Sequence, residues 1–237
     1  MNFFFDDKNR LREDMGEYPT YLYDQNLFND VKYLYNQDVL IRCMYITKLK
    51  LIDKKTGITS FDDYGNWSAE FEGRYGSKYI LNNHETFKMP MGSKKLTEEE
   101  KQRVLENITQ NVIETAEANP ETMFYIYISP YSAIWWGEQL EEGNINRDIE
   151  AERYVIESLL KCKNVNLYSF NTHYDITTDM DNYRDKLHYG EWINTDILKF
   201  MKNGEGLLTQ DNYLDYLNEE KIFYETFDYN YLFGVFF

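Results

Sequence analysis

The chain has 237 residues, 43% of them apolar, enough for one substantial core and too many for a disordered tail. A formal charge of −16 opposes nucleic acid, because phosphates need clustered Lys and Arg; spread along the chain, the acidity reads as solubility. No apolar run approaches the roughly 20 residues that span a bilayer, and the start, "MNFFFDDKNRLRED", lacks a basic flank and a small-residue cleavage site.

After an extended Tyr18-Pro19 start, Leu27, Val31 and Leu34 mark one helical face, and Asp38 can cap a second helix over 39–49. Residues 53–93 are rich in Gly, Asp, Asn and Ser and read as a long irregular insertion within a single domain over 1–237. A capping box follows. In "LTEEEKQRVLENITQNVIETAEANP", Thr97 and Glu100 can satisfy the open amides of a helix start. Val104, Ile108, Val112 and Ala116 then line one face, and Asn119-Pro120 ends the helix.

"MFYIYIS" (123–129) is a short apolar run of strand-favouring residues stopped by Pro130. A helix over 148–162 carries Ile149, Ile156, Leu159 and Leu160, and "VNLYSF" (165–170) is the next strand. Helix, strand, helix, strand of these lengths implies an α/β class with a parallel pair joined by a right-handed crossover. A loop leads to an amphipathic helix with Ile193, Ile197 and Met201 on its covered face and Gly204 as its stop. "LTQDNYLDYLNEEKIFYETFDY" is a further helix, and the aromatic tail "NYLFGVFF" is expected to pack back on the body. Cys43 and Cys162 fit no metal or disulfide spacing and read as buried thiols.

The loop before the 190–203 helix holds Asp185 and His188, three residues apart. It follows the carboxyl end of a parallel strand, where open α/β sheets bind ligands. A carboxylate beside a histidine can hold one ring N–H and stabilise the imidazolium formed when the other nitrogen takes a proton. The same spacing also suits an ordinary loop or helix-start hydrogen bond.

The segments "YPTYLYDQNLFNDVKYLYNQDVL", "FYIYISPYSAIWW", "NVNLYSF" and "DKLHYGEWINTDILKFMKNGEGLLT" together resemble an SGNH/GDSL hydrolase-like group found among bacterial cell-envelope and surface-polysaccharide proteins. The resemblance runs over nearly the whole chain, and the "DKLHY" segment is its most specific part. It implies a flavodoxin-like three-layer parallel sheet and assigns acid and base to Asp185 and His188. The family's nucleophile turn, Gly-Asp-Ser or Gly-Ser-Ser after a first strand, has no match. Gly76-Ser77 and Gly92-Ser93 read as loop serines, since neither lies between a strand and a helix. The resemblance therefore points to the C-terminal portion of such a fold, with an incomplete sheet.

Five further residues are candidates for a substrate cleft. Ser132, in the better-placed Ser129–Ser132 stretch, is the first place to look for a hydroxyl, and Tyr189 adjoins His188. Trp135 and Trp136 form either a sugar-stacking wall or a hydrophobic cap over the sheet. His173 lies just past the second strand, where it either lines the cleft or sits in solvent, and His84 has no partner pattern. The 22 tyrosines admit sugar contact, or simply fill the border between core and water. No metal spacing and no cofactor motif is present.

The expected function is serine-esterase or O-acyl-transfer chemistry on an envelope glycan, inactive alone for want of the serine block. The alternative is a non-catalytic protein that binds glycan or a partner. The expected partners are a glycan substrate, an N-terminal half, or a second copy at an exposed sheet edge. No transmembrane segment is expected in this chain. Its location reads as cytoplasmic as written, and as the cell envelope by resemblance.

Overall fold

The computed structural model describes residues 22, 24–26, 28–35, 37–54, 74–81, 86–90 and 92–234. Tyr18-Pro19, His84 and much of 53–93 lie outside them. The chain divides into two compact units, one of Leu11–Trp67 and one of Met1–Arg10 with Ser68–Phe237.

The first unit holds α1 (Val31–Leu34) and α2 (Gln37–Leu51). Cys43 on α2 is exposed, not buried as expected, together with Ile41, Met44 and Ile46. Apolar residues run round this helix instead of forming one stripe, so the pattern does not fix which side chains are covered. Cys162, in the second unit, is half-buried.

In the second unit, α3 (Ser77–Ile80) precedes α4 (Glu98–Ile108), a π-helical turn (Thr109–Ile113) and α5 (Glu114–Ala118). The capping box forms as expected: Glu100 N–H donates to Thr97 Oγ1 at 3.2 Å, and Thr97 N–H donates to Glu100 Oε2 at 2.9 Å. Thr97→Ala should therefore lower stability by about 1 kcal/mol, read by chemical denaturation. The π turn has a cause in the sequence. Apolar residues spaced by four drift from a 3.6-residue period, by about 120° over three steps. The extra residue of the π turn recovers that drift, so Val104 and Ala116 are both completely buried.

Strand β1 (Phe124–Ile128) leads to α6 (Ala133–Glu141) and α7 (Ile145–Leu159), then to β2 (Val165–Ser169). The two strands pair in parallel, with Ile126 opposite Leu167, as the alternation of helix and strand requires. Next come α8 (Tyr174–Thr177), a 3₁₀ turn (Met180–Asn182), α9 (Glu191–Asn203), β3 (Leu207–Leu208), α10 (Tyr213–Thr226) and α11 (Tyr231–Gly234).

The sheet corrects the expectation of a wholly parallel one. β3 pairs antiparallel with β2, in the order β1-β2-β3, so the fold is mixed α/β with a small mixed sheet. Two residues are too few to show alternation, and the second of them, Leu208, reads as the start of the following helix. Among the described residues β1 pairs only with β2, and Tyr125 on it is 62% exposed.

Helices cover both faces. Leu167 and Leu208 join Val104, Trp136, Ile156 and Leu217 in the main core, while Tyr168 and Phe170 pack with Ile193 and Ile197 of α9. Tyr229 and Leu232 are buried in the main core, so the aromatic tail does pack back, at least through its described residues. No helix among the described residues is long and apolar enough to cross a membrane.

Candidate functional site

The segment after β2 closes into a small hairpin. Tyr183 and Tyr189 form an antiparallel bridge, Arg184 N–H donates to His188 O, and Gly190 N–H donates to Asn182 O. Asp185 shapes the tip. Its Oδ1 accepts the N–H groups of Leu187 and His188, both at 2.9 Å, as an Asp does in a side-chain-capped turn.

The same carboxylate holds the histidine ring. His188 Nδ1 lies 2.9 Å from Oδ1 and 2.8 Å from Oδ2. An ionised carboxylate can only accept, so Nδ1 carries the proton and neutral His188 presents a basic Nε2. Partial burial opposes ionisation of Asp185, but the two N–H bonds and the ring outweigh it and hold the carboxyl below its usual range. The His188 side chain is 60% exposed.

The hairpin is anchored at its base. Tyr183 is completely buried and donates its hydroxyl to Pro130 O at 2.8 Å, at the carboxyl end of β1. Ser132 caps α6 and donates its own hydroxyl to Lys186 O at 2.8 Å, while the Lys186 amine pairs with Glu138.

These contacts revise the cleft candidates. Ser132 is completely buried and committed to the hairpin backbone, so it is a support and not an open hydroxyl. Trp135 and Trp136 belong to the core, as the cap reading held. Trp136 stacks on Tyr224 at 4.3 Å, and Trp135 lies edge-on to it, so no face remains for sugar on the surface. The His173 ring packs between Phe170 and Phe200. The Tyr189 hydroxyl lies 3.4 Å from that of Tyr127. Burial pushes its pKa up.

One pair set aside as a loop serine is brought to the hairpin. Gly76 N–H donates to Tyr183 O at 2.9 Å, and Ser77 is the first residue of α3. Gly76 has a φ of +105°, and a Cβ there would meet Asp181 Oδ1 at 2.7 Å, so only glycine fits this approach. The Tyr75 ring packs on Trp192 at 4.9 Å. The sequence signal was the Gly-Ser pair itself; its docking on residues 181–192 is a long-range contact that no local pattern reports.

No family model, curated protein or solved structure matches this chain.

Two further residues carry a signal that the sequence reading passed over. Glu152 falls inside the stripe Ile145, Ile149, Glu152, Ile156, Leu159, and Glu220 falls between Leu217 and Tyr224; both glutamates are buried. A carboxyl at a core-facing position of an amphipathic helix is the pattern that finds them. Burial, then the charge of Asp148, pushes Glu152 up to about 8. Burial, then the charge of Glu152, raises Glu220 well above its usual range.

Proposed function

We propose that this chain performs SGNH-like acyl chemistry, as a serine esterase or O-acyl transferase acting on an envelope glycan. The observation that carries the reading is the Asp185–His188 pair: one carboxylate fixes the turn, the tautomer and the ring of an exposed histidine. In this reading His188 takes the proton of an attacking hydroxyl and Asp185 stabilises the resulting imidazolium. Ser77 is the candidate for that hydroxyl, because its neighbour Gly76 is bonded to the base of the same hairpin. The glycan and the three-layer sheet rest on the family resemblance. A further strand, from an N-terminal half or a second copy, would suit the edge of β1 that pairs with nothing among the described residues. The alternative is a non-catalytic protein that binds glycan or a partner through the remaining cleft and aromatic residues, with Trp135 and Trp136 buried and so offering it no exposed stacking face.

The test is labelling of the full chain with a fluorophosphonate followed by peptide mapping. Modification of Ser77, abolished in Ser77→Ala and in His188→Ala, is the expected result. Labelling of some other serine would reject Ser77 as nucleophile, and no labelling would leave Asp185 and His188 as an acid–base half that needs a serine from elsewhere.

A further inference from the structure

A cavity of about 320 Å³ lies against β1, at the lower end of ligand-sized sites. Ile126, Val155 and Leu159 give it apolar walls, Tyr131 and Trp135 aromatic ones, and Glu152 lines it as well. Glu152 is 3% exposed, and its Oε1 has no hydrogen-bond partner among the described residues. Asp148, one turn earlier on α7, also lines the cavity and is paired with Arg147 at 2.9 Å. No ion pair to Glu152 is formed among the described residues, and a carboxylate sealed from water must find a cation or keep its proton.

We propose that this cavity binds a small organic ammonium compound, with the charged nitrogen against Glu152 and the hydrocarbon part along the apolar walls. The ammonium supplies the hydrogen bonds and the charge that Glu152 lacks. Rings such as Tyr131 and Trp135 attract a cation as well as hydrocarbon. A metal ion suits the site poorly, since among the described residues no three His, Cys, Asp or Glu side chains converge to hold one. The inference rests on the cavity alone and is independent of the acyl chemistry proposed for His188.

Binding is linked to a proton. Glu152 keeps its proton up to about pH 8 in the empty cavity, so the ammonium displaces it. The groups that face Glu152 are Asp148, with its Arg147, on α7; Tyr131 after β1; and Tyr216 and Glu220 on α10. Burial raises both tyrosines, so they stay neutral through this range. The affinity should therefore rise with pH below about 8, by up to about tenfold per unit.

The experiment titrates the full chain with 2-phenylethylamine and with its neutral counterpart 2-phenylethanol, by calorimetry from about pH 6 to about pH 8. The expected result is an amine at least about tenfold tighter than the alcohol at the upper end, with a pH dependence that the alcohol lacks. Glu152→Gln should bring the two ligands within about twofold of each other, since it keeps the shape and removes the charge. Equal binding of amine and alcohol, amine binding indifferent to Glu152→Gln, or no saturable amine binding would each overturn the proposal. Should the variant fail to fold, the wild-type series decides alone, and an amine affinity flat across that range rejects it.

Discussion

Replacing His188 by alanine should lower kcat/KM for an activated acetate ester by about 10²–10⁴-fold, the range that a positioned general base supplies. Thermal stability should hardly change, because the side chain is 60% exposed and holds little of the core. Asp185 needs a more careful substitution, since its Oδ1 also accepts the N–H groups of Leu187 and His188. Alanine would open the turn as well as free the ring. Asparagine keeps an oxygen for the two backbone bonds and removes the charge that supports the imidazolium, so Asp185→Asn should cost less activity than His188→Ala. A circular-dichroism melt beside the kinetics separates the two effects. If His188→Ala unfolds the chain, or leaves the rate unchanged, the histidine is no base.

The second large effect is in the stability profile. Glu152 titrates at about 8 in the fold against an ordinary value of 4.5, and Glu220 is raised as well. Between those pH values the folded chain holds protons that the unfolded chain has lost. Stability is therefore complete below the ordinary carboxyl range and falls as pH rises through the folded values. Glu152 takes away up to about 1.4 kcal/mol per pH unit in that window, and Glu220, raised in the same direction, adds to the fall as it ionises. Urea midpoints should thus drop steadily from about pH 5 to about pH 8. Glu152→Gln should flatten a large part of that slope, and Glu152→Gln with Glu220→Gln most of the rest. A wild-type profile that rises to neutrality would show that both groups are ionised at little cost.

What the sequence discloses depends on how local the cause is. Thr97 and Glu100 make their capping box within one turn, and 123–129 and 165–170 announce strands by composition, so both are legible. The Asp185–His188 contact is legible for the same reason: three residues of spacing are closed by a single turn. Helix α6 is not. "AIWWGEQLE" has no apolar stripe because Ala133 through Gly137 are all buried, and a helix covered all round shows no periodicity. Its glycine hides further logic, since a Cβ on Gly137 would come within 2.5 Å of the Phe87 ring, a packing partner fifty residues earlier. Ser132 and Gly76 fail for the same reason as Gly137. Their roles are set by Lys186 and Tyr183, far along the chain, and a serine or glycine beside a turn looks alike whether it supports a site or fills a loop.

The double anchorage of the hairpin bears on how the molecule opens. Tyr183 is bonded to Pro130 O just past β1, and Lys186 O accepts bonds from both the amide and the hydroxyl of Ser132, at the start of the buried helix α6. Releasing residues 183–189 would mean exposing the Tyr183 ring and stripping the buried Ser132 amide and hydroxyl of their acceptor, so the hairpin melts with the core and not before it. The dyad accordingly belongs to the same cooperative folding unit as the tryptophans. A ligand that seeks His188 must meet it in its native pose, because no cheap local unfolding offers another.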